Sequence, residues 1–414
     1  MAYLDQKTAF HRQDVDDAAL YQSRFDGPDA VHLGVAIAGS PGFFVMTSDI
    51  YQSMVRATKA DKELLRLVHA LPGKAIEQFT TSCLIDEIVL TNEIEGVRST
   101  RREIEVILEN LEKKDRKMRF HGLVKKYVML NSGNWDAVDN PTDVRRLYDE
   151  LVLKEVLEEK PDNAPDGKLF RKDSVSVYDE GDREIHYGLM PESAIVEAME
   201  KSLDFLNNET AVDDFVRIAV FHFLFGYIHP FYDGNGRTNR FISSQYLSNC
   251  CESLAGYSLS YTIKKRLAEY NRAFALGEHP LSKGDITPFV IMFCDVIAES
   301  LERVCRVLEE KKAALIENEK LLSRAIKSAG EVSEKACDLA YVFIQAALFS
   351  DCGLSAKEAG GMLDVSKATI YKVIREIEDV MPLSKNRRGR EMLYAADLGA
   401  FAEMYGTSDG FAHE

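Results

Sequence analysis

The amino-acid sequence predicts a mainly α fold, interrupted by one β-hairpin and closed by a small module of two helices and a β wing. Three observations carry that expectation. Most of the chain repeats apolar residues at helical spacing between capping residues and Gly or Pro stops. Two short β runs, Val175–Tyr178 and Ile185–Tyr187, flank the polar turn Asp179-Glu-Gly-Asp-Arg-Glu184. Beyond about residue 350 the pattern changes to two short helices followed by a basic hairpin.

Composition bounds the function classes. With 414 residues, 46% apolar and 29% charged, the chain has room for two or three domains around a sizeable core and is too apolar for disorder. Its formal charge of −16 argues against a general nucleic-acid binder, while leaving room for a locally basic module. Cys83, Cys250, Cys251, Cys294, Cys305, Cys337 and Cys352 are odd in number and form no Cys-x-x-Cys pair. They read as buried thiols of a reducing compartment, not zinc ligands. Met-Ala-Tyr-Leu-Asp-Gln-Lys at the start has no signal-peptide core, and no stretch reaches the ~18 apolar residues of a membrane span. The expectation is a cytoplasmic protein without a membrane partner.

Taken in order, residues 1–50 are loop-rich, with turns at Gly27-Pro28 and Gly39-Ser-Pro-Gly42 and one strand-like stretch, Val31 to Ala38. A helix over 50–72 closes at Pro72-Gly73. The next, from about Ala75 to Glu95, is apolar at Ile76, Phe79, Cys83, Leu84, Ile88 and Leu90 and meets Gly96, where helices favour a left-handed glycine. Thr100-Arg-Arg-Glu103 is a capping box, so Glu95 is pinned at a helix-to-helix corner. Three helices are expected over 100–160, with Glu112-Lys-Lys-Asp-Arg-Lys117 as a solvated helix end, followed by turns and the hairpin. A lone hairpin in a helical chain is marginally stable by itself, which points to a task beyond packing. Helices follow over about Pro191–Asn207 and Asp213–Ile228, the second carrying His222 as a core histidine. Thr262 to Gly277 reads as a helix, and Pro288 to Ala329 as one or two long ones whose apolar stripe suits a connector or a homodimer interface equally. The implied organisation is an N-terminal helical region (1–160), a core (161–290) holding the hairpin (about 173–188), a helical connector (291–350) and the C-terminal module (351–414).

The most informative run is His229-Pro-Phe-Tyr-Asp233-Gly-Asn-Gly236-Arg-Thr-Asn-Arg240. Pro230 pushes His229 out of the preceding helix and leaves it at an exposed terminus. Asp233-Gly234-Asn235-Gly236 is a tight loop whose two glycines allow φ > 0 and bare N–H groups, the ingredients of an anion nest. Arg237 and Arg240 share one face of the next helix's first turn, where the dipole disfavours cations by about 0.3–1 kcal/mol each, so they call for an anion. Together these describe a phosphate cradle, and a carboxylate beside phosphates describes a Mg²⁺ ligand. A calcium loop is excluded, because Arg237 and Ser244 would fall at its fifth and twelfth positions. Phe231 reads as a core anchor and Tyr232 as a wall.

This run resembles the core motif of the Fic family (filamentation induced by cyclic AMP), whose members mostly transfer AMP from ATP to a protein hydroxyl. The match covers every position that carries chemistry. The resemblance implies a Fic-type helical bundle with a β-hairpin flap, ATP as substrate and Mg²⁺ (or Mn²⁺) as cofactor. It assigns Asp233 to the metal, Gly234, Asn235 and Gly236 to the α- and β-phosphates, and Arg237 and Arg240 to the outer phosphates. His229, an imidazole whose ordinary pKa is about 6.5, becomes the general base for a Ser, Thr or Tyr hydroxyl of a target protein. Tyr270 and Asn271 fall where family members line the adenine pocket. Val175, Ser176, Val177 and Tyr178 match in position the flap strand that holds a target by strand addition. Thr91-Asn-Glu-Ile-Glu95-Gly96 is similar to the family's inhibitory motif, whose glutamate takes the second arginine of the core motif, here Arg240, and displaces the γ-phosphate from a productive pose. That places the chain in the N-terminally inhibited class.

The C-terminal stretch reads as helix (Ser355 to Leu363), turn, and a second helix (Ser366 to Ile377) with Ser366 as N-cap, then a wing (Pro382 to Tyr394) around Arg387-Arg-Gly-Arg390. It looks like a winged helix-turn-helix. In such folds the second helix would offer Lys367, Thr369, Tyr371 and Lys372 to a groove and the wing its arginines to phosphate. Residues 354–398 carry eight Lys/Arg against seven Asp/Glu, a near balance that keeps DNA and protein docking both open. The expected function is an autoinhibited protein adenylyltransferase. One alternative is a nucleotide-sensing transcriptional regulator, against which the intact His229 argues, since a sensor needs the cradle but not the base. The other is the reverse reaction, hydrolytic removal of AMP, with Glu95 positioning the attacking water.

Overall fold

A computed structural model describes residues 3–111, 118–131, 137–178, 184–389 and 391–406 of the chain. The expected solvated helix end at 112–117, the tip of the hairpin at 179–183 and Arg390 of the wing lie outside the described residues. In chain order the elements are α1 (Gln6–Phe10), α2 (Asp17–Phe25), β1 (Ala30–Ile37), β2 (Ser40–Val45), α3 (Ser48–Ala70), α4 (Gly73–Ile94), α5 (Arg101–Glu109), α6 (His121–Asn131), α7 (Pro141–Leu151), α8 (Leu153–Glu159), β3 (Ser176–Tyr178), β4 (Glu184–Tyr187), α9 (Glu192–Asn208), α10 (Asp214–Ile228), α11 (Asn235–Cys250), α12 (Leu259–Lys265), α13 (Leu267–Gly277) and α14 (Thr287–Ala329). They are followed by α15 (Glu334–Phe349), β5 (Leu354–Ser355), α16 (Ala356–Met362), α17 (Lys367–Glu378), β6 (Leu383–Arg388), β7 (Glu391–Ala396) and α18 (Leu398–Tyr405). Among the described residues no helix is long and apolar enough to cross a membrane.

Two compact units emerge, one made of Met1–Leu64 and Leu84–Val304, the other of Leu65–Cys83 and Cys305–Glu414. The division runs through α3, α4 and α14. Within the first unit the centre is α10, which is apolar on nearly every face and buries all but a few of its residues against α9 and α11. Asp213 caps its start by accepting from the Phe215 N–H, and its end is a left-handed residue, His229, with φ 51° and ψ 63°. Phe223 of α10 joins an aromatic layer with Tyr270, Phe274, Phe289 and Phe293.

Several expectations are revised. The hairpin at 173–188 is not alone, because β1 pairs antiparallel with β2. The second strand was hidden by Pro41 and Gly42, which read as breakers, while the connection is a tight turn with positive φ at both Ala38 and Gly39. Among the described residues of 101–159 there are four helices instead of three, since the chain bends at Val152 between α7 and α8. The helix expected over 262–277 breaks at Arg266, whose guanidinium is held by Glu269 and Asp295. From Thr287 a single helix of 43 residues runs to Ala329.

In the second unit, α16 opens with a capping box between Ser355 and Glu358, and Ser366 caps α17. Ile370, Val373, Ile374 and Ile377 of α17 are buried, and α17 packs against α15. Three antiparallel strands in the order β5-β7-β6 complete the module, with Tyr394 of β7 stacked near Phe343 of α15.

Candidate active site

The turn from α10 into α11 is held from several sides. Phe231 is fully buried, its ring stacked on Tyr148 at 3.6 Å between centroids and edge-on to Phe170. The Asn235 side chain bridges the loop, accepting from the Phe231 N–H at 3.0 Å and donating to the Phe231 carbonyl at 2.7 Å. Asn235 therefore serves the loop with its amide and can offer a phosphate only its backbone N–H. Thr238 donates to the Gly234 carbonyl, and Asn239 to the His222 carbonyl of α10. Tyr232 is tied to the approach of the hairpin, donating to Asp166 and accepting from the Asp173 N–H.

Only one of the two loop glycines uses positive φ. Gly234 has φ 76° and stands as the cap residue of α11 without offering any side-chain acceptor, so the first-turn N–H groups of Asn235, Gly236 and Arg237 are left for an anion. Gly236 is helical and needed for a different reason: a Cβ there would overlap the Glu95 carboxylate.

Glu95 accepts from Arg240 Nη2 at 2.9 Å, and Arg240 further donates from Nε to Thr91 Oγ1 at 2.7 Å and from Nη2 to the Thr91 carbonyl at 2.9 Å. The Arg240 side chain is 2% exposed and that of Glu95 26%. Burial alone would lower the Arg240 pKa, but the Glu95 carboxylate outweighs it, together with neighbouring tyrosine hydroxyls, so that it rises above its ordinary value. Thr91 and Glu95, four residues apart at the end of α4, act as one clamp.

Asp233 lies on the open side of the loop, its side chain 35% exposed, 3.9 Å from Arg237. Arg237 is 3% exposed and its buried Nε has no hydrogen-bond partner among the described residues. A buried donor left unpaired marks a place prepared for an acceptor. Among the described residues no cluster of three or more His, Cys, Asp or Glu is able to hold a metal ion. One hard carboxylate beside anion-binding N–H groups nevertheless fits Mg²⁺, which is bound through one or two carboxylates, water and substrate phosphates.

His229 Nδ1 lies 3.3 Å from the Gly226 carbonyl, an oxygen that only accepts; the tautomer with its hydrogen on Nδ1 makes this contact and leaves the lone pair on Nε2. His222, by contrast, is fully buried between Ser243 and Tyr270, and burial pushes its pKa well down, which keeps it neutral. The two residues expected at the adenine pocket separate: Tyr270 is buried with its hydroxyl on His222, while Asn271 is exposed. Val175 precedes β3, and Ser176, Val177 and Tyr178 form it, paired with β4.

Sequence reasoning missed Arg171 and Tyr148. Tyr148 forms the floor on which Phe231 stacks; its only signal was the Asn140-Pro141 helix start that places it on the inner face of α7. Arg171 carried no pattern at all.

Residues 139–247, which include the loop from His229 to Arg240, match the Fic/DOC family. Over this stretch the chain is similar to a Fic domain. Curated relatives of this domain include the protein adenylyltransferase fic-1 of Caenorhabditis briggsae, 29% identical over 143 residues, covering 34% of this chain and 26% of that protein. The protein adenylyltransferase Fic of Drosophila willistoni is 31% identical over 106 residues, 25% of this chain and 20% of that protein. The chain thus spans about a quarter of the length of the curated relatives it matches. A crystal structure of a Fic family protein from Desulfovibrio desulfuricans G20 superposes with a TM-score of 0.51 at 19% identity, covering 89% of this chain and 99% of that one, a likeness of fold.

Proposed function

We propose that the Fic domain transfers AMP from ATP to a hydroxyl side chain of a target protein. The observation that carries this reading is the Glu95–Arg240 contact beside an uncapped helix N-terminus, with His229 at the mouth of the same loop. A site with a base, an anion cradle and an internal carboxylate occupying part of that cradle is built for regulated chemistry on a polyphosphate.

In this mechanism the first-turn amides of α11 and the Arg237 guanidinium take the phosphates, and Arg240 takes the terminal one when Glu95 gives way. Asp233 would hold Mg²⁺ (or Mn²⁺), which supplies charge neutralisation at the phosphates. His229 Nε2 takes the proton of the target hydroxyl as its oxygen attacks the α-phosphorus. The new O–Pα bond forms, the Pα–O bond to the β-phosphate breaks, and its electron pair leaves with pyrophosphate. Val175–Tyr178 would receive the target in extended form.

Glu95 makes the resting enzyme slow, because its carboxylate holds the guanidinium that the γ-phosphate needs. The second unit supports a winged helix-turn-helix, with α17 presenting Lys367, Tyr371 and Lys372 to DNA or a protein. Seven free cysteines suit a reducing, cytoplasmic setting.

The test is label transfer from α-³²P-ATP by Glu95→Gly protein and by the same protein carrying His229→Ala. Transfer by the first and none by the second is expected. No label in either, with both folded, would favour the nucleotide-sensing regulator.

A further inference from the structure

Arg171 is among the largest fully buried side chains of the molecule, and among the described residues it makes no ion pair. Its guanidinium donates to main-chain carbonyls instead: Nε to His229 at 2.8 Å, Nη1 to Asp173 at 2.7 Å and Nη2 to Leu189 at 2.9 Å, with a longer approach to Ile228 at 3.5 Å. These carbonyls come from three places: the C-terminal end of α10, the stem entering β3 and the stem leaving β4. Backbone bonds tie the same places together, from Arg171 N to the Pro230 carbonyl, from Leu189 N to the Ile228 carbonyl and from Gly188 N to the Val175 carbonyl. The Glu192 carboxylate accepts from the N–H groups of Lys168, Leu169 and Phe170, which fixes the irregular segment that delivers Arg171.

A buried cation without a carboxylate is costly, and burial lowers the Arg171 pKa from its ordinary value. The end of a helix offsets part of that cost, since its unpaired carbonyls carry partial negative charge. A packed apolar residue would fill the space more cheaply, so the guanidinium is there for its reach: a planar fork addresses three segments at once, which no other side chain does. One of those segments needs holding. His229 sits at φ 51°, a left-handed conformation that a side chain with a Cβ adopts only when its surroundings impose it. The packing is close: a Cβ on Gly188 would overlap Arg171 Nη2 and lie 3.0 Å from the His229 Cβ and 3.1 Å from Val175 Cγ1.

Resting on the transfer reading above, we infer that Arg171 is a positioning residue that joins the flap and the general base into one mechanical unit. A target strand seated on the hairpin then acts on the placement of His229, and nucleotide binding at the α11 end stays outside this linkage.

The experiment uses Arg171→Lys and, from the opposite side, Gly188→Ala, which keeps the charge but forces the guanidinium and His229 apart. Each is made in the parent and in the Glu95→Gly background. Expected are a fall in kcat for AMP transfer of tenfold or more, a Kd for a non-hydrolysable ATP analogue within twofold of the parent, and coordinated loss of hydrogen-exchange protection in peptides covering 184–190 and 226–232. Folded Gly188→Ala protein with unchanged kcat overturns the inference, as does equal loss of nucleotide binding and transfer, which means general misfolding. If the parent and Glu95→Gly proteins transfer no AMP at all, the transfer reading fails and hydrogen exchange still decides the linkage: loosening of 184–190 with 226–232 unaffected overturns it.

Discussion

Replacing Glu95 by Ala should separate stability from nucleotide response. Arg240 makes three hydrogen bonds here, one to Glu95 and two to Thr91, and the change removes only the first. Stripping a buried charge of its sole partner costs roughly 3–5 kcal/mol. Because Thr91 remains and Glu95 is already a quarter exposed, the loss should be that of one charge-assisted bond, about 1.5–3 kcal/mol. At roughly 2–4 °C per kcal/mol for a unit of this size, Tm should fall by about 3–12 °C. Added nucleotide should then act unequally. A ligand at a hundredfold its Kd stabilises by about 2.7 kcal/mol, enough to bring the variant back to about the melting point of the unliganded parent. In the parent the same ligand first has to displace Glu95, so its shift should be smaller. Scanning fluorimetry with Mg²⁺ and a non-hydrolysable ATP analogue measures both. Equal ligand shifts in the two proteins would show that Glu95 and the nucleotide do not compete, and the inhibition argument would be wrong.

Three further outcomes are expected. Asp233→Asn keeps an acceptor for the Gly234 N–H but removes the charge, so label transfer should be lost while Tm moves by no more than a degree or two; retained activity excludes a metal role. A proline at Ser176, which pairs with Tyr187, removes a donor from the hairpin and should reduce modification of a protein target far more than ATP binding, read by parallel labelling and titration. Glu87, fully buried on α4 with its carboxylate on the Ser260 N–H and hydroxyl, has its pKa pushed up by burial to about 7. A raised carboxyl pKa means the folded state holds the proton longer, so the stability tied to it is present below the unfolded value near 4.5 and is lost as pH rises towards 7. Glu87→Gln should therefore gain stability over the parent between pH 5 and 8, by up to about 3 kcal/mol; a pH-independent difference in urea midpoints would refute this.

Residues whose role depends on local spacing were readable in the sequence. The end of α10 before Pro230, the loop at 233–236 and the corner holding Glu95 each follow from a proline, a glycine pair or a cap within a few positions. What escaped depends on partners far along the chain. Arg171 is one of many arginines until the fold brings the His229, Asp173 and Leu189 carbonyls around it. Asn235 looked like a phosphate ligand because it follows a glycine, but its amide closes the loop on Phe231. Gly236 looked like a turn residue, yet its missing side chain makes room for a carboxylate. The β1–β2 hairpin was obscured because Ala-Gly is a weak turn signal and Pro41 a strong breaker, and only pairing with β1 settles the matter.

The fit of Glu95 over Gly236 has a consequence of its own. The carboxylate rests over Gly236 in the first turn of α11 and on the Arg240 guanidinium, so under the proposed inhibition it would act as a tethered ligand of the cradle. Its hold is then set by an effective concentration, which for a short rigid tether is on the order of millimolar or above. On the proposed inhibition, nucleotide would have to compete against that fixed local concentration and not against solvent. Any event that shifts the end of α4 by a fraction of a turn, on either side of the Thr91–Glu95 clamp, lowers it and changes the apparent affinity without touching a single residue of the loop.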